Sequence, residues 1–317
     1  MRVCYPPTVR NRPLAASTTR SQRRSSAERA QRHQWPLLAS PLIIFLLIFL
    51  GFPTVLDIYY SLSAVTFDTL RSPQLSGLGN YGDVVNDPAF WGAVWFSLRF
   101  GVLTALAECL IGLGLAIFLS PLLVKRSWLM APLMLPLMVA PAMVGLMYRL
   151  VLHEFVGPVP YYLTLIFGNS PSFLDADNSF WTLVVVETLQ WTPFAFLLFY
   201  AAYQAIPEDA RQAAQIDGAS SWQLLTRIEL PLMAPTLAVA LFIRFIDGFR
   251  VFDNVYTLVG SGPGGVTASL SIYIYEAFFK QGAIGKAIAA SILLFLASLL
   301  VLVTLSWLTS RRKGAAT

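Results

Sequence analysis

The sequence contains few charged residues. Asp, Glu, Lys and Arg together make up 12% of its 317 residues, whereas a soluble domain carries roughly 25%. Apolar side chains make up 56%, which leaves too little polar surface to coat a water-soluble protein of this length. These proportions exclude a soluble enzyme and a disordered chain, and they predict an all-α, polytopic membrane protein.

Cysteine and histidine are also scarce, with two residues of each. Cys4 lies near the N-terminus and Cys109 within an apolar run, so they predict neither a disulfide framework nor a metal site. His153 and Glu154 have no nucleophile or third ligand beside them, so no catalytic dyad is expected. The sequence G-x-x-x-x-G-K-S/T does not occur, so this chain is not expected to bind ATP or another cofactor itself.

Six apolar runs have the length of about 20 residues that a transmembrane helix requires. Tryptophans cluster near the ends of these runs, as in the aromatic belts of membrane interfaces. Gly101, Ala105, Gly112 and Gly114 give the second run a small-residue face, which predicts close packing of helix on helix. The runs are Trp35–Tyr59, Trp91–Leu119, Trp128–Leu152, Phe180–Tyr203, Leu232–Leu258 and Ile284–Leu308.

Lysine and arginine lie mainly on one side of the predicted spans. Eight arginines precede the first span, and further basic residues lie in alternate loops and after the last span. The remaining loops carry mainly acidic residues, so the positive-inside rule places both termini in the cytoplasm. The predicted organisation is a basic cytoplasmic tail (1–34), a six-helix transmembrane domain (35–309) and a second basic cytoplasmic tail (310–317).

The arginine-rich N-terminal tail has two interpretations. It is either a solvated extension that sets the topology or a segment that binds anionic lipid. It lacks the repeated aromatic residues that would stack on bases, so nucleic acid is not an expected partner.

The polar segment 204–231, between the fourth and fifth spans, carries the signals of two short helices. Pro207 suits the first turn of a helix, and Gly218 is placed to end that helix in a left-handed conformation. Ser220 and Gln223 have the spacing of a capping box, which would begin a second helix before Pro231 opens the next span. Such a loop is either a docking element or a hairpin on the lipid headgroups, and the pattern alone leaves both open.

The run Ala213-Ala214-Gln215-Ile216-Asp217-Gly218-Ala219, continuing to Ile228-Glu229-Leu230-Pro231, resembles the EAA loop of permease subunits in binding-protein-dependent ABC importers. This resemblance implies a cytoplasmic loop that couples the permease to a dimer of ATPase subunits, which use ATP and Mg. The family's glutamate before the alanines is Gln212 here, so a charge-assisted contact becomes a neutral one. The implied coupling residues are Gln212, Ala213, Ala214, Asp217, Gly218, Ala219, Trp222 and Leu225.

Other segments resemble sugar permeases similar to the maltose permease. They are Gly77-Leu78-Gly79-Asn80-Tyr81 with Asp87-Pro88-Ala89-Phe90-Trp91, then Trp191-Thr192-Pro193-Phe194, and Phe252-Asp253 with Gly260-Ser261-Gly262-Pro263. Val259 and Ser261 depart from the family pattern, and together with the basic tail they resemble the trehalose-importing permeases of actinobacteria. The resemblance implies import of a di- or oligosaccharide such as trehalose. Within the class, a glycerol phosphate or a polyol is the alternative solute.

Charged side chains within the predicted spans are costly in a bilayer and therefore suggest function. Arg244, Asp247, Arg250 and Asp253 recur every third residue in the fifth span and are expected on one side of a single helix. They form either a self-neutralising network or a polar path for sugar hydroxyl groups. By position in the family, the resemblance implies a substrate site shortly before the Gly-Pro turn. The candidate path consists of Glu187, Gln190, Asp247, Arg250, Asp253 and Asn254.

The resemblance also implies partners. Besides the ATPase dimer, these are a second permease subunit, usually a sister chain, and an external or lipid-anchored sugar-binding protein, all at a prokaryotic cytoplasmic membrane. The alternative from another class is an ion- or proton-coupled secondary carrier, with Glu108, Glu187, Asp247 and Asp253 as the relay. Such carriers often contain inverted repeats, and none is found here; a carrier also leaves the capped loop unexplained.

Overall fold

The computed structural model of the protein describes residues 40–314. The N-terminal tail, residues 35–39 and residues 315–317 lie outside this range, and so do the predictions made for them. The chain falls into two units, which divide between Tyr59 and Tyr60.

Helix α1 (Ser40–Ser61) makes up the described part of the first unit, and its last two residues, Tyr60 and Ser61, belong to the second unit. Pro53 has no backbone N–H to donate to the carbonyl of Phe49. The helix widens into a π turn, Leu47–Gly51, just before this proline, and this adjusts its hydrogen bonding without ending it.

The second unit is helical except for one antiparallel pair of short strands within the described residues, β1 (Ser63–Ala64) and β2 (Gln74–Leu75). The segment Ser127–Met138 consists of consecutive 3-10 and α-helical turns, and the helix Leu270–Tyr275 continues into a π turn, Glu276–Lys280. The helices are α2 (Gly79–Val85), α3 (Pro88–Lys125), α4 (Ser127–Met138), α5 (Pro141–Val151), α6 (Pro158–Phe167), α7 (Ser179–Gln204), α8 (Glu208–Ile216), α9 (Ser221–Phe249), α10 (Asp253–Leu258), α11 (Leu270–Tyr275) and α12 (Ile284–Gly314).

The predicted all-α membrane fold is confirmed, with one difference in the third span. Among the described residues, α1, α3, α7, α9 and α12 are long and apolar enough to cross a membrane. Segments α4 and α5 provide a sixth crossing only together, as one span bent by 84°. Ala140 has an extended backbone at this bend, because the ring of Pro141 disfavours a helical residue before it.

Helix α3 packs closely against α7 and α9, and its glycines permit the approach. A Cβ atom at Gly101 would lie 2.9 Å from the backbone nitrogen of Phe249, and one at Gly112 would lie 2.8 Å from the backbone nitrogen of Phe196. The predicted close packing of the second span is therefore confirmed at these two positions. Gly114 has no neighbour within 4 Å of such an atom and takes no part in it.

The predicted fifth span, Leu232–Leu258, is wrong at both ends. Helix α9 already begins at Ser221, so the second helix of the polar loop is continuous with the span through a π turn, Leu225–Glu229, ahead of Pro231. At the other end α9 stops at Phe249. The separate helix α10 begins at Asp253, where a carboxylate favours a helix N-terminus.

Candidate functional site

Arg244 of α9 lies at the centre of a group of charged side chains inside the helix bundle. It is only 1% exposed. Its Nε atom donates to Oε2 of Glu108 on α3 at 2.5 Å, and its Nη1 atom donates to Oδ2 of Asp247 at 3.3 Å. Its Nη2 atom lies 3.7 Å from Oε1 of Glu187 on α7. One guanidinium group therefore joins carboxylates from α3, from α7 and from its own helix α9.

Aromatic rings cover the Arg244 guanidinium. Its central carbon lies 4.4 Å from the ring centre of Trp191 and 5.9 Å from that of Phe194. A cation held over a ring and shielded from water gains a favourable electrostatic contact. The segment 191–194, which the sequence singled out by resemblance alone, thus contributes two rings that cover the buried charge.

Asn254, at the start of α10, links this group to a second set of polar side chains. Its Nδ2 atom donates to Oε2 of Glu187 at 2.5 Å and to Oε1 of Gln190 at 2.8 Å. The Nε2 atom of Gln190 donates at 3.1 Å to the carbonyl of Val139, at the bend between α4 and α5. We define Glu108, Glu187, Gln190, Arg244, Asp247 and Asn254 as the buried polar cluster.

The predicted alignment of four charges on one helix is wrong. Arg250 follows the end of α9 and Asp253 begins α10, so the two residues do not share a helix. The Nη2 atom of Arg250 pairs with Oδ1 of Asp247 at 2.9 Å. Arg250 and Asp253 are both exposed. Two of the predicted path residues, Arg250 and Asp253, are therefore accessible to a solute. The others are buried or, for Asp247, half-buried: Glu187, Gln190, Asp247 and Asn254.

Aromatic side chains continue from this exposed pair of charges. Phe252 and Tyr256 stack with ring centres 5.0 Å apart and planes 12° apart. The ring of Tyr275 lies 5.3 Å from Phe252 and 5.1 Å from Tyr256, and Phe279 lies 4.9 Å beyond it. We call Phe252, Tyr256, Tyr275 and Phe279 the aromatic row.

An open cavity of about 540 Å³ lies beside the aromatic row. Its polar lining comes from Arg149, Tyr256, Lys280 and the glycine-containing turn 260–262. Lys280 pairs with Glu276 at 2.7 Å, and this hydrogen bond raises the pKa of Lys280. Hydroxyl, guanidinium, ammonium and peptide groups next to aromatic faces suit a polar solute, because they offer hydrogen bonds and flat apolar surfaces together.

The polar loop 204–231 has the predicted capping. Helix α8 starts after Pro207, with Glu208 and Asp209 in its first turn. Gly218 adopts φ +78° beyond its end, and the N–H of Ala219 donates to the carbonyl of Ala214. Both hydrogen bonds of the capping box between Ser220 and Gln223 are present. The ends of both helices in the loop are therefore capped by residues of the loop itself.

The predicted coupling residues divide between two faces of the loop. Ala214 packs towards the bundle, and Ala219 and Leu225 are half-buried. The exposed members are Gln212, Ala213, Asp217, Gly218 and Trp222. Trp222 is 71% exposed and Ile216, which was not among the predicted residues, is 85% exposed. Two large apolar side chains held out from a rigid loop form a surface suited to a protein partner.

Arg211 fastens the loop to the bundle, a role that the sequence did not indicate. Its Nε atom donates to Oε1 of the buried Glu229 at 2.9 Å, and its Nη2 atom donates to the carbonyl of Tyr203 at 3.0 Å. Its guanidinium also lies 4.4 Å from the ring centre of Tyr203. A single half-buried side chain thus connects the end of α7, the helix α8 and the start of α9.

Asp87, beside the start of α3, lies at the opposite end of the spans from this loop. Its carboxylate caps α3 through the N–H of Ala89 at 2.9 Å. It also accepts hydrogen bonds from Lys286 at 2.7 Å and from the Tyr273 hydroxyl at 2.9 Å. Burial would raise the pKa of Asp87, but these three hydrogen bonds together leave it below its usual value.

The side chains of the buried polar cluster do not form a metal site among the described residues. Within residues 40–314, no three His, Cys, Asp or Glu side chains are grouped to hold a metal ion. The buried polar cluster contains carboxylates, amides and one guanidinium, and its members bond chiefly to one another. Its members therefore form a hydrogen-bonded contact between helices, with one guanidinium shared among several carboxylates.

Known proteins resemble this chain over most of its length. A model of the family described as binding-protein-dependent transport system inner membrane component matches residues 36–314. The trehalose/maltose transport system permease protein MalF of Thermococcus litoralis is 33% identical over 82% of this chain and 88% of its own. The trehalose transport system permease protein SugA of Mycobacterium tuberculosis is 29% identical over 86% and 87%.

A solved structure has the same fold. A bacterial ABC transporter involved in the import of the acidic polysaccharide alginate contains a chain that superimposes with a TM-score of 0.75 at 23% sequence identity. The match covers 90% of this chain and 99% of the other. Nearly the whole length described above thus corresponds to one complete chain of that assembly.

Proposed function

The chain belongs to the family of binding-protein-dependent transport system inner membrane components, and from this premise we propose that it is the permease of an ATP-driven importer for a di- or oligosaccharide such as trehalose. The relatives described above that carry a substrate in their names are sugar permeases. Trehalose is favoured because it occurs in both names.

The observation that carries the sugar assignment is the position of the aromatic row beside two exposed charges. Arg250 and Asp253 are accessible, and Phe252 lies between them in sequence with its ring stacked on Tyr256. A sugar ring presents hydroxyl groups at its edge and C–H groups on its faces. Carboxylate and guanidinium groups can bond the hydroxyls, while aromatic faces cover the C–H groups.

The buried polar cluster supports this path without contacting the solute. Arg244 and its carboxylates bond to one another, and Asn254 connects them to the start of α10. In this proposal Arg250, Asp253 and the aromatic row meet the sugar, while Glu187, Gln190 and Asn254 hold α10 in place beneath it. Asp247 links the two groups, because it contacts both Arg244 and Arg250.

The polar loop is the proposed site of energy coupling. Gln212, Asp217 and Trp222 face outward on a capped backbone, where an ATPase subunit would dock. Two ATPase subunits with ATP and Mg, a sister permease and an external sugar-binding protein complete the proposed importer. The proposed location is a prokaryotic cytoplasmic membrane, with both termini in the cytoplasm.

Replacement of one carboxylate tests the sugar path. Asp253→Asn removes a charged hydrogen-bond acceptor, which costs about 1.5–3 kcal/mol. This loss should raise the half-saturating concentration of labelled trehalose roughly ten- to a hundredfold. The measurement is uptake into proteoliposomes that contain the complete importer, with the binding protein at a fixed concentration and the trehalose concentration varied. Asp83→Asn, an exposed carboxylate on α2, is the control. Equal uptake by the two variants would assign Asp253 no contact with the solute.

A further inference from the structure

Helix α6 lies in the loop between α5 and α7, and no part of the transport proposal uses it. Residues 155–168 have the sequence FVGPVPYYLTLIFG, which contains no charged side chain. Pro158 occupies the first turn of the helix, and Gly168 ends it at φ +77°. Its ten residues reach about 15 Å, half the thickness of the hydrocarbon core of a membrane. It is therefore a complete helix that is too short to cross.

The apolar side chains of α6 are exposed in several directions. Tyr161 is 65% exposed, Ile166 69% and Phe167 74%. At about 100° per residue these three side chains point roughly 100–140° apart around the helix axis. The buried side is narrow and centres on Pro160. Most of the circumference of α6 is thus apolar and uncovered.

The hydroxyl of Thr164 is bonded within α6. The hydroxyl of Thr164 donates to the carbonyl of Pro160 at 2.9 Å, and the N–H of Gly168 donates to the carbonyl of Thr164 at 2.9 Å. The Thr164 hydroxyl would therefore keep its hydrogen bond in an apolar environment. Tyr161 and Tyr162 are aromatic residues with a polar tip, which are enriched at the boundary between lipid and water.

The exposed apolar surface of α5 leads directly into that of α6. Met143, Met147 and Leu150 are exposed on α5, the second half of the bent third span. Phe155 and Val156 continue this surface in the connection between the two helices, and both are exposed. The exposed apolar surface of the span and that of α6 are therefore continuous along the chain.

From this geometry we infer that α6 is embedded in the lipid leaflet on the side of the membrane opposite the polar loop 204–231. The helix α7 crosses the membrane between α6 and that loop, so the two lie on opposite sides. A protein partner covers one face of a helix, whereas exposure in three directions matches hydrocarbon, which surrounds it. Lipid is therefore the occupant that this surface fits.

The embedded helix would restrain the substrate path through α5. Helix α5 packs so closely on α10 that a Cβ atom at Gly145 would lie 3.1 Å from the carbonyl oxygen of Asn254. Arg149 of α5 reaches the carbonyl of Thr257 on α10 at 3.5 Å. An anchor immediately after α5 would therefore hold the helix that carries Asp253.

Spin labels on α6 test this placement. Cys4 and Cys109 are replaced by serine, and single cysteines are introduced as Tyr161→Cys, Ile166→Cys and Phe167→Cys. The full chain is purified with its associated subunits and reconstituted into liposomes of phosphatidylethanolamine and phosphatidylglycerol. Collisions with oxygen and with a water-soluble nickel chelate are then measured by electron paramagnetic resonance. Asp177→Cys, an exposed position in the same loop, is the control.

The embedded helix predicts one pattern at all three positions. The ratio of oxygen to nickel accessibility should be at least fivefold higher there than at position 177. Equal ratios at all four positions would place α6 in water and overturn the inference. An immobilised label shielded from both reagents at one or more of the three positions would show that a protein subunit covers α6, which would also overturn it.

Discussion

The contact between Arg211 and Glu229 should determine how well the polar loop transmits movement to the spans. Arg211 is the side chain that joins α8 both to the start of α9 and to the last turn of α7, through contacts of 2.9 and 3.0 Å. If it is replaced by methionine, α8 keeps its caps but loses its attachment. Nucleotide-driven movement of an ATPase subunit would then displace α8 without displacing the bundle.

The size of the effect follows from the burial of the pair. Removing one partner of a buried ion pair costs about 3–5 kcal/mol, because the other charge is left without compensation. Glu229 is buried and Arg211 is half-buried, so a value near the lower limit, about 3 kcal/mol, is appropriate. This would shift the equilibrium between attached and detached α8 by roughly a hundredfold.

The assay is the number of sugar molecules imported per ATP hydrolysed, measured in proteoliposomes with the complete importer. Arg211→Met should lower this ratio at least tenfold while ATP hydrolysis changes less than twofold. Arg227→Met removes an exposed arginine from the same loop and should leave the ratio unchanged. Exchanging the charges, with Arg211→Glu and Glu229→Arg together, should restore part of it. Equal ratios for Arg211→Met and Arg227→Met would refute the reasoning.

Three further predictions concern the loop, the buried polar cluster and the outer end of α3. Gly218→Val places a branched residue at φ +78°, which costs about 1–3 kcal/mol of strain. Transport and ATPase stimulation should fall together, while the amount of the protein in the membrane stays normal. Normal transport would contradict the docking role. Glu108→Leu should cost about 3–5 kcal/mol, because Arg244 loses its nearest carboxylate, and should lower the melting temperature more than Glu108→Gln; equal melting would count against that pair. The pKa of Asp87 is lower in the folded state than in the unfolded state. The ionised carboxylate therefore stabilises the folded protein fully above the unfolded-state pKa of about 4, and this stabilisation is lost as the pH falls through the folded-state pKa. Asp87→Asn should therefore reduce the melting temperature more at about pH 7 than at about pH 3, and equal reductions would show that its contact with Lys286 contributes little.

Local signals in the sequence predicted the capping of the loop and, when the bent third span is counted as one, the six crossings. Capping depends on residues within one or two turns of each other, so Gly218 and the spacing of Ser220 from Gln223 were sufficient to predict it. Crossings depend on the length of apolar runs, which hydropathy reports directly. Close packing at Gly101 and Gly112 was likewise readable from small residues on one face.

Breaks within apolar runs could not be read in the same way. Residues 250–252 separate α9 from α10, and residues 139–140 bend the third span, yet both lie in stretches whose composition is continuous. Helix α6 escaped notice for the opposite reason, because ten apolar residues are too few for a span. At both breaks the backbone departs from a regular helix although an apolar run continues on either side.

Contacts between distant residues were the other feature that the sequence did not predict. Glu108 and Arg244 are 136 positions apart, and nothing in either neighbourhood identifies the other as its partner. Arg211 was counted only as a positive charge on the cytoplasmic side, whereas its contact with Glu229 depends on how α8 folds back on α9. Such pairs become visible only once the helices are assembled.

The most direct test of the proposed function is uptake of radiolabelled trehalose by proteoliposomes. They would contain this chain with its sister permease and ATPase subunits, and the binding protein would be supplied outside. The account predicts uptake that requires both ATP and the binding protein and that persists when an ionophore collapses the proton gradient. Uptake that proceeds without ATP and stops with the ionophore would contradict it and would identify the chain as a secondary carrier.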